Sequence, residues 1–263
     1  MNHWAWNGIL AVVVVLSCTG VFFFLVTRGA LVVRGLTQGE HSDTAHVYPI
    51  YSNMRLIKLV DFQPIISAIL LFQYHRLVSA IAAGLRQTDL SNKNVLITSC
   101  AFGNVIPRVV EAALQAGARR VYIADIISNE LIHAHGKLTR FADQVEFLED
   151  DATAMAQAEG FADANIMFFL LHELPHALKD RALQEAGRML APGGTLFLAE
   201  FHRPERRILR ALSWTYFKVF EPLGLALWDT HDPLEFLHQS GQWQCQRTTF
   251  LSGNFQLITA QKQ

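Results

Sequence analysis

Residues 168–176 read FFLLHELPH and contain a literal H-E-x-x-H in His172, Glu173 and His176. On a helix, that spacing puts two imidazoles on one face. There they share a zinc ion, with the glutamate beside them as general base, as in a metalloprotease. Pro175 argues against this reading. Proline lacks the N–H and clashes with the preceding turn, so it suits the first turn of a helix and not its interior. Phe168–Leu171 is therefore expected to end a buried strand, with His172 and Glu173 in the loop after it and a helix starting near Pro175. The two histidines then do not share a face.

Other residues able to do chemistry also follow short apolar runs. Cys100-Ala101-Phe102-Gly103-Asn104 comes after VLITS, Asp125 after VYIA, and Asp150 and Asp151, then Ala152, after Val145–Leu148. Glu200 and His202 come after Thr195–Ala199. Asp125 could accept hydrogen bonds from a ribose diol or cap a helix starting at Ser128. Gly103 allows close approach of a ligand to the backbone or makes an ordinary turn. Glu173 could face a substrate or cap the helix after Pro175. His202 could be a ligand or a satisfied structural histidine. His133 and His135, two apart on a helix, do not face each other and read as surface residues.

These positions require a particular scaffold. The apolar runs alternate with segments of helical spacing at Val105–Ala116, Ser128–Phe141 and Ala177–Leu190, the last stopped by Pro192-Gly193-Gly194. Such alternation implies a parallel α/β sheet covered on both faces. Gln244–Phe250 and Phe255–Ala260, joined by Ser252-Gly253-Asn254, read as an antiparallel hairpin at the end. In open α/β sheets ligands bind outside the carboxyl ends of the strands, where all these residues fall.

With the residues placed, a resemblance emerges. MLAPGGTLFLAEFHRP resembles the helix–PGG–strand segment of class I S-adenosylmethionine (SAM) dependent methyltransferases, especially the ubiquinone/menaquinone type, over Asn92–Gln263. The resemblance implies a Rossmann-like, seven-stranded fold. It implies that Ser99, Ala101 and Gly103 cradle the methionine part of SAM. Asp125, with Ile126 beside it, would bind the ribose, and Asp151 (or Asp150) before Ala152 would lie near adenine. FFLLHELP, EFHRP and FEPLGLALW, with HVYPIY upstream, are similar to methyltransferase-like enzymes of rhodoquinone biosynthesis. Those enzymes replace a ring methoxy group of membrane ubiquinone by an amino group, with SAM as nitrogen source and a divalent metal such as manganese. The resemblance makes His172, Glu173 and His202 the catalytic candidates, and Glu173 and His202, with Glu200, the metal ligands.

One departure bears on this. The usual loop reads roughly acid-x-Gly-x-Gly-x-Gly. Here the acid falls on Ile97 and two of the glycines on Ser99 and Ala101. Ile97 cannot hold an ammonium group, so the amino end of SAM is held differently. The rival readings are ordinary methyl transfer to a quinone or other lipid, and a non-catalytic module that binds SAM or lipid.

Composition limits the remainder. Of 263 residues 51% are hydrophobic and only 17% charged, with a net charge of -1, so no basic excess points to nucleic acid. Gly8–Val26 carries no charge. As a helix it is about 28 Å long, close to the ~30 Å hydrocarbon core of a bilayer. It reads as a transmembrane anchor within residues 1–35, because MNHWAWN lacks the basic residues of a signal peptide. Arg28 and Arg34 follow the apolar run, which places the catalytic domain on the cytoplasmic side of the inner membrane, anchored by a single pass in the lipid bilayer. Residues 36–91 read as a linker and one or two amphipathic helices, either packed on the core or forming a lid and substrate entrance. Arg206–Trp228 is rich in aromatic residues and suits core packing or a pocket for a quinone. Cys18, Cys100 and Cys245 are too far apart in sequence for a metal knuckle or disulfide framework, which fits a reducing compartment.

Overall fold

Parallel strands can be neighbours only when each connection crosses a face of the sheet, and five strands of this chain are joined in that way. The computed structural model describes residues 53–263 throughout and scattered helical residues between positions 6 and 21. The expected linker within residues 36–52 lies outside the described residues, as does most of Gly8–Val26, the stretch read from the sequence as an anchor. Among the described residues no single helix is long and apolar enough to cross a membrane.

The strands are β1 (Asn94–Thr98), β2 (Arg120–Asp125), β3 (Val145–Glu149), β4 (Ala162–Phe168), β5 (Leu190–Phe201), β6 (Trp243–Phe250) and β7 (Phe255–Lys262). They form one sheet in the order β3-β2-β1-β4-β5-β7-β6, and β7 runs antiparallel to both of its neighbours. The strand order reverses beside β1, between β2 and β4, which opens a crevice at the carboxyl ends of those strands. Ile97, where the usual loop has its acid, pairs with Ile123 and Ile166 and is 3% exposed. It is therefore a core residue.

Helices cover both faces. On one lie α3 (Tyr74–Gln87) and α4 (Val105–Gln115); on the other lies α6 (His176–Met189), joined by α8 (Pro233–Gln239). Tyr74, Leu77, Val78, Ile81, Ala82 and Leu85 recur at the spacing of one helical face, and all are buried. The amphipathic region ahead of β1 is thus three helices instead of one or two, with α1 (Met54–Val60) and α2 (Gln63–Ile69) preceding α3. The chain breaks at Leu71 and Phe72, which both adopt left-handed backbone angles (φ 47° and 59°). Of the two readings for this region, α3 serves as a core helix, while Leu59, Phe62, Leu71 and Phe72 around α1 and α2 stay exposed.

Two other boundaries differ from expectation. Pro192-Gly193-Gly194 does not end α6 but lies inside β5, where pairing shifts from Ala162↔Leu190 to Ala164↔Thr195. Gly193 has φ +77°, and a Cβ on Gly194 would sit 2.8 Å from the Ala191 carbonyl. The segment is a bulge that only glycine accommodates. The helix expected over Ser128–Phe141 also ends early: α5 spans Ser128–Lys137, a separate 3-10 turn covers Thr139–Phe141, and the cap position is Ile127, whose N–H donates to Asp125.

Packing of α3 on the sheet gives a paired prediction. A Cβ on Gly84 would lie 2.5 Å from the ring of buried Phe197, whereas one on Gly136 in α5 meets open space. Gly84→Ala should destabilise the fold by about 1–3 kcal/mol, and Gly136→Ala should stabilise it by about 0.5–1 kcal/mol. Urea denaturation measures both. Equal effects would show that α3 does not pack on β5 this closely.

Candidate active site at the carboxyl edge of the sheet

After β4 the chain turns sharply at Phe169 (φ 56°), whose N–H donates to the Ala199 carbonyl. A short 3-10 turn, Leu171–Glu173, then folds over the end of β5. Glu200 lies near that end with no exposed surface. It accepts the N–H of Phe201 at 2.8 Å and the N–H of His172 at 3.2 Å, and its Oε1 is 3.1 Å from Nδ1 of His172. A buried carboxylate needs donors, so the histidine carries its proton on Nδ1. That directs Nε2 toward Glu173, whose Oε1 is 3.9 Å away. Burial alone would lower the pKa of His172, but the carboxylates of Glu200, Glu221 and Glu173 outweigh it and raise the ring to about 9. The surrounding carboxylates therefore favour the charged form of the ring.

Aromatic rings enclose this pair. Phe201 meets the His172 ring edge-on at 5.0 Å, and Phe169 lies 6.1 Å from it. The helix α7 (Arg207–Val219) contributes Phe217, and the following 3-10 helix Pro222–Trp228 contributes Trp228, 5.8 Å from Phe217. Gly224 allows that segment to close. A Cβ there would meet the Phe217 ring at 2.6 Å and His172 at 3.3 Å. Tyr216 is raised far above the usual phenol range by burial and by Glu221 and Glu173.

Lys179 holds the turn from below. Its Nζ donates to the carbonyls of Leu171 and Leu174, both at 2.5 Å, from a side chain 1% exposed. Burial lowers its pKa to about 8 against the opposing pull of Glu200, Asp180 and Glu173. Sequence reasoning missed this residue. It lies on the same helical stripe as buried Ala182, Leu183 and Ala186, and a lysine on an apolar stripe was the available signal.

The zinc pattern is not a metal site. His172 pairs with Glu200, while His176, at the start of α6, stacks on His231 at 5.1 Å. The proposed manganese ligands also do not assemble. His202 Nδ1 bonds the Gly253 carbonyl at 2.7 Å, Arg247 lies 3.3 Å from its Nε2, and Glu200 is committed to His172. Among the described residues no three His, Cys, Asp or Glu side chains form a metal-binding group. The donor set therefore does not fit the ion. His202 joins β5 to the turn before β7, and burial, with Arg247 adding to it, lowers its pKa.

At the other end of the crevice, Asp125 closes β2. Its Oδ2 accepts the N–H of Cys100 at 2.6 Å and its Oδ1 that of Ile127 at 2.8 Å, and Ser99 hydrogen-bonds to it as well. The residue is 8% exposed, and burial raises its pKa against those donors. Asp125 thus ties the loop after β1 to the residue that precedes α5, without bonding an N–H of the helix itself. Ser99 (φ 77°) and Gly103 (φ 80°) shape that loop, half-buried Ala101 lies between them, and Ile126 is exposed beside Asp125. Asp151 accepts the N–H and hydroxyl of Thr153, while Asp150 accepts the N–H groups of Asp151 and Ala156. Both acids therefore stabilise their own loop beside half-buried Ala152.

The N–H groups that lead into α4 are held by the layer of α1–α3. Asp61 accepts from Gly103 at 2.8 Å, Gln63 from Asn104 at 3.1 Å and Tyr74 from Val105 at 2.6 Å. The Tyr74 hydroxyl lies where a Cβ of Gly103 would go, 2.5 Å from it. Asp61 also pairs with Lys137 at 2.7 Å and lies 3.1 Å from His133. His133 is therefore not a free surface residue, whereas His135 is exposed. Glu130, one helical turn before His133, also escaped the sequence reading. It is 3% exposed and its Oε1 has no partner. Burial, then Asp125, raises its pKa to about 8.

The His172–Glu200 pair gives a pH prediction. The folded pKa of the ring lies above the unfolded value, so its contribution to stability is complete below ~6.5 and is lost as pH rises toward about 9. Glu130 and Lys179 titrate in an overlapping range, so the informative comparison is between proteins. Between pH 6.5 and 9 the wild type should lose on the order of 2–3 kcal/mol more stability than Glu200→Gln in urea denaturation. Parallel curves would mean that the ring is not held charged.

Comparison with known proteins agrees with this geometry. The sequence profile described as the ubiE/COQ5 methyltransferase family matches residues 58–252, most of the chain. A ubiquinone/menaquinone biosynthesis C-methyltransferase from Methylobacterium nodulans is 27% identical over 166 residues, which cover 62% of this chain and 64% of that protein. The chain thus spans less than two thirds of that relative's length. An O-methyltransferase family protein from Burkholderia thailandensis superposes with a TM-score of 0.60 at 15% identity, covering 81% of this chain and 62% of that one. The N-methyltransferase NodS from Bradyrhizobium japonicum WM9, in complex with S-adenosyl-l-homocysteine, does so with a TM-score of 0.53 at 16% identity, covering 78% and 90%. At these identities the superpositions establish the fold, and the profile match establishes the family. The chain belongs to the ubiE/COQ5 methyltransferase family.

Proposed function

We propose that this protein is a SAM-using transferase acting on the ring of a membrane quinone, and that it installs an amino group. The observation that carries the reading is the crevice itself. Asp125 and the loop after β1 occupy one end, and the aromatic-walled His172 with Glu173 the other, all at the carboxyl edge of one sheet. The quinone substrate is suggested by the biosynthetic role in the name of the Methylobacterium nodulans relative.

Asp125 and Ile126 would hold the nucleoside, and Ser99, Ala101 and Gly103 would line the approach to its sulfur. When bound, SAM supplies the transferred group: its methyl in ordinary family chemistry, its amino nitrogen in the reading proposed here. His172, charged and donating through Nε2, would hydrogen-bond a ring carbonyl oxygen and draw electron density from the carbon under attack. Glu173 beside it is placed to take a proton from the incoming amine as the ring C–N bond forms, and the methoxy group would leave as methanol with a proton from His172. The nitrogen would then be released from the cofactor's α-carbon by hydrolysis, the quinone ring taking up the electron pair. The rings of Phe169, Phe201, Phe217 and Trp228 provide the apolar, water-poor wall that a quinone ring requires.

Two observations support the amino reading over methyl transfer. The segments FFLLHELP, EFHRP and FEPLGLALW, on which the rhodoquinone resemblance rests, converge around His172 through Glu200 and Gly224. Ile97 also removes the acid from the cofactor loop and buries an apolar side chain in its place.

Membrane contact has its own support. Phe62, Leu71 and Phe72 are exposed beside α2, as are Ile208, Leu212 and Trp214 on α7. Arg206, Arg207 and Lys218 lie exposed among the latter. α7 adjoins the β6–β7 hairpin through Ser213, which bonds Asn254 at 2.6 Å, and α3, which follows Leu71 and Phe72, reaches it through Arg76 over Phe250 at 5.7 Å. A basic, apolar face of this kind suits the surface of an anionic bilayer. With Gly8–Val26 as an anchor, the domain would work at the cytoplasmic face of the inner membrane.

The test is expression in a ubiquinone-producing bacterium fed nitrogen-labelled methionine, followed by mass spectrometry of its quinones. A quinone with labelled amino nitrogen in place of one methoxy group is expected, and His172→Ala should lower its yield about 100-fold or more. Ring methylation would replace the amino reading with the methyl one. Unaltered quinones, in a protein that binds SAM, would leave only a binding module.

A further inference from the structure

A carboxyl group sealed from water without a hydrogen-bond partner is costly in a folded protein and commonly marks a place completed by a ligand. One carboxyl oxygen of Glu130, Oε1, is in that position. The residue stands in the first turn of α5 and is 3% exposed. Its surroundings place it at the crevice. The first turn of α5 directly follows Asp125 at the carboxyl end of β2, and Asp125 is the strongest charge acting on the Glu130 carboxyl after burial. The loop lacks the acid that the usual pattern places at Ile97, and Ile97 is packed in the core. An acid is therefore missing from β1, and an unsatisfied one is present at the same rim.

We propose that Glu130 is the cofactor's amino-group receptor: its Oε1 accepts an N–H from SAM, replacing from α5 the acid absent from β1. This rests on the reading of the protein as SAM-using. Two groups on SAM could supply the N–H, the ammonium of the amino-acid tail and the amino group on the purine. The loss of the acid at Ile97 favours the tail. Burial and Asp125 push the carboxyl up to about 8, and an ammonium brought against it would return it to its charged form, giving a charge-assisted hydrogen bond in a place already closed to water. Lys137 does not fill this role, because its Nζ bonds Asp61 at 2.7 Å and the Gly103 carbonyl at 3.0 Å.

Isothermal titration of the full-length protein in detergent tests the assignment with two probes, SAM and 5′-methylthioadenosine, which keeps the nucleoside and lacks the amino-acid tail. Glu130→Gln retains size and removes the charge, and Glu130→Leu removes the acceptor. Both should weaken SAM binding about tenfold to hundredfold. If the tail is the donor, 5′-methylthioadenosine binds all three proteins alike. If the purine is the donor, it weakens in parallel with SAM. Either pattern supports the receptor role. A purely structural Glu130 would lower the melting temperature of the variants while the folded protein bound both probes as wild type does, and that result overturns the proposal. Failure of the wild type to bind SAM at all would overturn instead the reading on which it rests.

Discussion

A carboxylate with no exposed surface is stable only where charge and hydrogen bonds replace the water it has lost. Glu200 is in that position, and the architecture around it follows from the requirement. His172 must fold down onto it, so the chain after β4 makes a tight turn instead of running straight into α6. Lys179 satisfies the two carbonyls that the turn leaves facing inward. Gly224 lets the C-terminal aromatic segment approach closely enough to seal the pair. Removing water strengthens the attraction between ring and carboxylate, and that attraction in turn keeps the ring charged.

Similar reasoning applies at the opposite end of the crevice. The leading N–H groups of a helix have no partners within it and must find them elsewhere. For α4 these partners are Gln63 and Tyr74, while Asp61 holds the N–H of Gly103 just before it, all from the helical layer ahead of the sheet. The layer and the loop after β1 are therefore one mechanical unit. Moving the layer away uncovers several backbone donors at once, so access to the loop and the position of the layer are coupled energetically. The left-handed pair Leu71–Phe72 ends α2 and directs the chain into α3, and it leaves Phe72 facing solvent at 75% exposure.

Most of the scaffold is legible in the sequence. Alternation of β-branched runs with helical spacing gave the parallel strands, and the terminal pair of runs gave the hairpin. The position of Pro175 correctly separated His172 from His176, because a proline has only one comfortable place in a helix. The Pro192-Gly193-Gly194 segment misled, since glycines suit a bulge as readily as a stop. The metal reading of Glu173, Glu200 and His202 failed for a different reason. Residues adjacent at the ends of neighbouring strands can point into different environments, and His202 is turned toward Gly253 and Arg247.

The sequence by itself determined the order of strands and helices and the set of residues at the carboxyl edge, because periodicity and strand ends are local properties. Only the tertiary structure decided which of those residues are partners. The pairing of His172 with Glu200, the seat of Lys179 beneath them and the unsatisfied oxygen of Glu130 all depend on burial. Burial is set by what packs from distant parts of the chain, and it changes both the pKa of a side chain and its need for a partner. A lysine or glutamate on a helical stripe is ambiguous in one dimension; the layer packed over it decides whether it is a surface charge or part of a site.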